Sequence, residues 1–229
     1  MLFLIFIILI FISIYFTSIE SQEVKLLETV TKSYRGTSSE RELVLKLLKN
    51  KIPAQTIFHD LYIKKWDNKF SQIDLVIPTK VGILVFEVKD FSGWIFGRGN
   101  NKEWTQVLAY GNEKHRHYNP ILQNKKHIDE LKIMLNNENI PFFSLIVFYG
   151  DCELKDISFI PNGTYVVKSN RIIEVINVIL RDNEPANYKN KRLILDKLKN
   201  AVKNGENVKT QTQHIKNINE MLGKDRIFD

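Results

Sequence analysis

Asp74, Glu87 and Lys89 are the residues whose types and spacing point to chemistry. Glu87 and Lys89 end the run GILVFEVKD, residues 82–90. Strand side chains alternate faces, so Ile83, Val85, Glu87 and Lys89 share one face and Leu84, Phe86 and Val88 the other. Both faces begin apolar, so both are expected to be covered. Glu87 and Lys89 then continue a covered face with charge, which is costly unless the charges are paired or bind a metal. The preceding run SQIDLVI, residues 71–77, reads as a second strand, and PTKVG between them as a hairpin turn. Pairing Ile77 near Ile83 brings position 74 beside 86 or 87, with the Asp74 and Glu87 Cβ atoms roughly 5 Å apart.

Two carboxylates that close repel, and one pKa rises. A divalent cation relieves the repulsion. Mg²⁺, with Mn²⁺ as the second choice, takes one or two carboxylates plus waters and phosphate oxygens. The chemistry that suits such a set is phosphodiester hydrolysis. The metal polarises the phosphate and acidifies a bound water, while Lys89 orients that water or stabilises developing charge. Taken alone, the three residues also fit a plain Glu–Lys pair at a strand end, with Asp74 leading into a turn.

Further residues extend the pattern. Glu40 precedes Leu43 and Val44 by three and four positions, which sets it on the inward stripe of a helix. Thr37 and Glu40 also have capping-box spacing, so a cap and a third carboxylate over the hairpin both stand. His115 and His117 could chelate a metal but lack a third ligand nearby, and an exposed loop is expected there. Trp94, Phe96 and Trp104, with Arg98, suit either stacking on bases or core packing. Asn119 and Gln123 could touch a phosphate, although capping alone explains Asn119. Residues 189–204 form a helix with a basic face. No glycine-rich phosphate loop and no Ser-His-Asp pattern is present.

The elements that must position these residues read as follows. A helix starts near Thr37, and strands occupy 56–63, 71–77 and 82–89. A turn and a short strand come next. Pro120 opens a helix capped by Asn119. Residues 142–150 form a continuous apolar run, the mark of a strand buried on both faces, and 164–168 form another strand. Helices are expected near 170–181 and 187–203, with a loosely packed helix after Gly205. This order predicts an α/β sandwich with a mixed central sheet.

The chain has 229 residues, 44% of them hydrophobic. Residues 1–19 carry no charged side chain, and a helix of that length matches the hydrocarbon layer. They are expected to be an uncleaved transmembrane anchor, followed by a linker over 20–36. Lys25, Lys32 and Arg35 on its C-terminal flank put the following domain in the cytoplasm. Cys152 is the single cysteine, so no internal disulfide is possible. The net charge of +7 suits a polyanion, either nucleic acid or an anionic leaflet.

The run SQIDLVIPTKVGILVFEVKDFSGWIFG, with WTQ at 104–106 and NPILQNKKHI at 119–128, resembles the nuclease-related domain (NERD) family. That family is placed in the PD-(D/E)xK restriction-endonuclease-like superfamily. The resemblance covers about residues 35–150 and implies an α-β-β-β-α-β core over 37–150. It implies Asp74, Glu87 and Lys89 as the catalytic site, with Asp74, Glu87 and the Val88 carbonyl holding Mg²⁺. Glu40 matches the helix-one glutamate, which would hold a second metal or orient the first. Gln106 matches a recurring polar position. Ser39-Glu40 stands where the family usually has Gly-Glu, and the carboxylate is kept. Residues 151–204 would pack on the core, and 205–229 would form a polar tail. The implied function is a nuclease acting on DNA, or RNA, beside a membrane, with Arg98, Trp104, Asn119 and Gln123 near the nucleic acid and a homodimer as the suggested assembly. The alternative is a catalytically silent module that binds nucleic acid or a partner.

Overall fold

A computed structural model describes residues 6, 17–65, 69–108, 111–136, 139–207 and 210–216. Most of the expected anchor, residues 1–19, lies outside the described residues, as does the tail from 217 on. Among the described residues no helix is long and apolar enough to cross a membrane.

Helix α1 (residues 17–28) leads to α2 (Ser38–Lys49). Strands β1 (Phe58–Lys64), β2 (Phe70–Pro78) and β3 (Ile83–Asp90) follow. Next come β4 (Gly93–Arg98), β5 (Glu103–Leu108) and β6 (Glu113–Tyr118), then α3 (Pro120–Leu135). The chain continues through β7 (Phe142–Tyr149), β8 (Cys152–Ser158), β9 (Thr164–Lys168), α4 (Ile172–Asp182) and α5 (Lys191–Asn204). A short helical segment covers 210–216. The expected α-β-β-β-α-β order is present as α2-β1-β2-β3-α3-β7, with β4–β6 between β3 and α3.

The main sheet has the order β1-β2-β3-β7-β9. β1, β2 and β3 pair antiparallel, while β3–β7 and β7–β9 pair parallel. Each face of this sheet is apolar because each is covered. Leu75, Leu84, Phe86 and Leu145 pack with Leu43, Val44 and Leu47 of α2 and with Ile172, Ile176 and Ile179 of α4. On the other face Ile73, Ile83 and Val85 pack with Ile128, Leu131 and Leu135 of α3 and with Ile194 and Leu198 of α5. Burying aliphatic side chains at about 1.5–3 kcal/mol each is what fixes β3 at the centre.

The single central sheet expected from the sequence is corrected to two. A second mixed sheet has the order β6-β5-β4-β8. Its strands β5, β6 and β8 are not expected from the sequence because they are short and largely polar, with little apolar alternation. The region of His115 and His117, expected as a loop, is the edge strand β6. Trp104 is also corrected. It is 3% exposed, and its ring lies parallel to that of Phe148 with centroids 6.1 Å apart. It joins Ile95, Ile121, Ile146 and Phe148 in the core between the two sheets, so no ring face is open to a base. Asn119 is fully buried. Its Oδ1 caps α3 by accepting the Ile121 N–H, and its Nδ2 donates to the carbonyls of Arg98, Gly99 and Asn101. No hydrogen-bonding capacity is left there for a phosphate.

Candidate active site

The hairpin register is shifted by one residue from the first expectation, with one more residue enclosed by the turn. Ile77 pairs with Leu84, and the ladder runs to Leu75 opposite Phe86. Asp74 therefore stands opposite Glu87, at the point where β2 releases both neighbours. The β2–β3 ladder stops before this pair. The β1–β2 ladder skips Asp74 and the residue facing it, Asp60, whose φ of 55° is left-handed. Freed from the ladder, Asp74 Oδ2 accepts the Val88 N–H at 2.7 Å. The N–H and C=O of a strand residue leave on the same side. The Val88 carbonyl is thereby directed to the open Asp74 edge too.

Glu87 is 1% exposed and lies on the α3 face of the sheet. Its Oε1 is 2.6 Å from Lys89 Nζ, and Lys89 also donates to Gln123 Oε1 at 3.1 Å. Glu87 Oε2 faces His127 Nε2 at 3.4 Å and has no hydrogen-bond partner. Gln123, His127 and Glu130 recur at helical spacing, so α3 presents one polar row to the β3 charges. Behind His127 stand Ser71 Oγ at 3.3 Å and Glu130, which pairs with Lys65 at 3.1 Å.

Glu40 is both a partner of the helix cap and a buried, inward-facing side chain. Thr37 Oγ1 accepts the Glu40 N–H and donates to Glu40 Oε1 at 2.9 Å. Glu40 is nevertheless buried, with Oε2 3.3 Å from His59 Nε2. His59 Nδ1 in turn meets Thr31 Oγ1 at 2.8 Å. Gly36, with φ 62°, passes so close that a Cβ would collide with Glu40 Oε2 and His59 Nε2.

The charges are strongly coupled. Asp74 keeps some exposure, yet its carboxyl is held well above the usual range by enclosure in protein and by the charges of Glu87 and Glu40. The Val88 N–H and Lys89 offset this only in part. Burial opposes charge on Lys89, but Glu87, Asp74 and Glu40 outweigh it and raise the ammonium pKa. Burial likewise opposes a charged His127, and Glu130 and Glu87 overcome it to bring the imidazole to about 9. Glu40 is enclosed too, but His59 and Thr37 draw its pKa down. The repulsion of the neighbouring carboxylates therefore falls on Asp74.

Among the described residues no three His, Cys, Asp or Glu side chains converge to hold a metal ion. Asp74 and Glu87 fit a cation as a pair. Asp74 carries unrelieved repulsion, Glu87 Oε2 lacks a hydrogen bond, and both are hard oxygen donors. Glu40 is turned to Thr37 and His59, and its charge reaches Asp74 and Lys89 through space.

Of the remaining expected residues, Gln123 joins the site through Lys89. Gln106 sits on the second sheet, donating to the Ser92 carbonyl at 2.8 Å and facing His117 Nε2 at 2.9 Å. Burial, His115 and then the Lys89 charge lower the His117 pKa. Arg98 is exposed at the far end of β4, with its guanidinium 4.6 Å from the Phe159 ring centroid. Sequence reasoning missed His59, His127 and Gly36. The available signals were a histidine inside an apolar strand and the four-residue spacing of Gln123 and His127.

The model of the nuclease-related domain family matches residues 35–149. An uncharacterized protein of Bacillus anthracis is 27% identical over 144 residues, covering 62% of this chain and 66% of the relative. The chain thus spans just under two thirds of that relative's length. No solved structure matches the chain.

Proposed function

The chain belongs to the nuclease-related domain family, and on that premise we propose that it is a metal-dependent nuclease hydrolysing phosphodiester bonds of DNA or RNA at the cytoplasmic face of a membrane. The observation that carries this reading is the enclosed Asp74–Glu87 pair with Lys89 Nζ 2.6 Å from Glu87. Asp74, Glu87 and the Val88 carbonyl would hold Mg²⁺, or Mn²⁺ in its place. The bound metal supplies charge neutralisation at the phosphate and a more acidic water. Lys89, kept protonated by its three acidic neighbours, would hold the attacking water or the negative charge developing on the phosphate. Gln123 fixes the Lys89 side chain, and His127 fixes Glu87 from behind. Glu40 orients the set through its field, anchored by His59 and Thr37.

The apolar residues 1–19 would hold the domain to the membrane, with the basic flank keeping it in the cytoplasm. Resistance of the full chain to carbonate extraction tests the anchor. The catalytic reading is tested with the full chain in detergent on plasmid DNA and on RNA. Cleavage is expected with Mg²⁺ and not with EDTA. Lys89→Ala should lower the rate by about a hundredfold or more, and Glu87→Ala should abolish it. Equal rates in wild type and both variants would sink this site.

One observation favours the second reading, a silent binding module. Glu87 already has two cationic neighbours, Lys89 and His127, an arrangement stable without metal. Tight oligonucleotide binding that Mg²⁺ does not change, with no product formed, would decide for it.

A further inference from the structure

The loop after β8 carries a feature that the cleavage chemistry does not use. Phe159 is 61% exposed and Ile160 40% exposed. Phe159 also has a φ of 54°, in the left-handed region. That conformation is rare and strained for a bulky side chain, and glycine or asparagine is the economical residue there. The local need for a left-handed residue is plain. Gly99 N–H donates to the Ser158 carbonyl at 2.8 Å, closing the β4–β8 ladder. The chain must then turn sharply towards Pro161. The Phe159 carbonyl lies so close to Gly99 that only a residue without Cβ fits opposite. The turn explains the backbone. It does not explain an aromatic ring standing in water at a strained position.

The surroundings give the ring a use. The Arg98 guanidinium lies 4.6 Å from the Phe159 centroid and makes no ion pair among the described residues. A guanidinium on a ring face is a cation–π contact that orients both groups. Lys102 and Tyr118, the latter 48% exposed, flank the same corner. The buried Asn119 ties this corner together through the carbonyls of Arg98, Gly99 and Asn101, and its own N–H donates to the Lys102 carbonyl. Asn119 is also the cap of α3. Gln123, which holds Lys89, follows it by four residues, or about 6 Å of helix. The exposed aromatics and cations of this corner are thus tied to the cap of α3, one turn before Gln123 and the lysine it contacts.

We propose that Phe159, flanked by Arg98, is a stacking platform for an unpaired base of the substrate strand, which makes the preferred substrate a nucleic acid with single-stranded character beside the cleavage site. Aromatic rings interleaved with cations are what a single strand needs, because every base offers a π-face and every linkage a negative charge. A duplex hides its base faces and would use only the cations. This inference rests on the nuclease reading of the Asp74–Glu87–Lys89 site.

The test is fluorescence anisotropy of the full chain in detergent with a labelled single strand and with its duplex, both in EDTA so that no cleavage occurs. Phe159→Asn suits the left-handed backbone and should unfold at the same temperature as wild type or higher. It should bind the single strand about tenfold more weakly or worse, with duplex binding nearly unchanged. Phe159→Tyr keeps a ring and should bind like wild type. Arg98→Ala should weaken both forms and flatten the salt dependence. The platform is overturned if Phe159→Asn binds the single strand like wild type, whatever the cleavage assay gives. It is likewise overturned if Phe159→Asn loses binding only to anionic phospholipid vesicles, which would make the loop a lipid contact. Ring-dependent strand binding without Mg²⁺-dependent cleavage would keep the platform and remove the catalytic reading. Failure of the wild type to bind either nucleic acid would remove both.

Discussion

Neutralising Asp74 and neutralising Glu87 should shift stability in opposite directions. The two carboxylates oppose each other across the open end of the β2–β3 hairpin, but only Glu87 has cationic partners on both oxygens. At the spacing of about 5 Å typical of directly opposed residues and an effective dielectric of about 20, two such charges repel by about 3 kcal/mol. Lys89 is close to both and cancels part of this, leaving about 1–2 kcal/mol of net cost at neutral pH. Asp74→Asn removes that cost and keeps an oxygen to accept the Val88 N–H, so it should stabilise by about 1–2 kcal/mol. Glu87→Gln strands Lys89 and His127, whose side chains are 21% and 9% exposed. Breaking a buried pair costs about 3–5 kcal/mol, and relief of the Asp74 repulsion returns about 1–2, for a net loss of about 2 kcal/mol. The assay is urea unfolding of the full chain in detergent at neutral pH with EDTA. At an m-value of about 2–3 kcal/mol per molar, the midpoint should rise by about 0.5 M for Asp74→Asn and fall by about 1 M for Glu87→Gln. Neither variant should cleave. Mg²⁺ should raise the wild-type midpoint and leave both variants where they were. Shifts of the same sign in the two variants would refute this account of the site.

Three further outcomes follow from the same geometry. Gly36→Ala forces a left-handed alanine whose Cβ meets Glu40 and His59, so it should cost about 2 kcal/mol or more and lower cleavage to the level of Glu40→Gln; a variant equal to wild type in both would contradict the packing around Glu40. The His127–Glu130 pair sets a pH window. His127 is raised from 6.5 to about 9, so its contribution is complete below pH 6.5 and lost as pH rises through about 9. Glu130 is lowered from 4.5 to about 2, so its contribution holds above pH 4.5 and fades as pH falls towards 2. Melting temperature against pH should therefore plateau between these limits, and His127→Gln should flatten the alkaline limb; an unchanged alkaline limb would exclude a charged His127. Asn119→Ala removes a helix cap and leaves three loop carbonyls without their donor. It should cost about 2 kcal/mol or more in urea, with or without oligonucleotide, whereas unchanged stability with lost binding would restore a phosphate-contacting role.

The sequence by itself determined the strands that carry the chemistry and the face on which Glu87 and Lys89 lie. Alternation is a local property, and the apolar run from Ile83 to Phe86 fixes it without reference to the rest of the chain. The hairpin and the caps at Thr37 and Asn119 were legible for the same reason, since a turn and a cap need only a few neighbouring residues. The second sheet was not legible. β5, β6 and β8 take their stability from pairing and from covering Trp104 and Phe148, and neither leaves a period in polar sequence. Tertiary structure alone decided which partner each charge acquires. It set His127 behind Glu87 and His59 behind Glu40, and it left Asp74 with the repulsion. It also turned Trp104 inward and Phe159 outward. The physical reason is that a pKa, or the exposure of a ring, depends on groups brought within a few ångströms by folding, and those groups lie tens of residues apart along the chain.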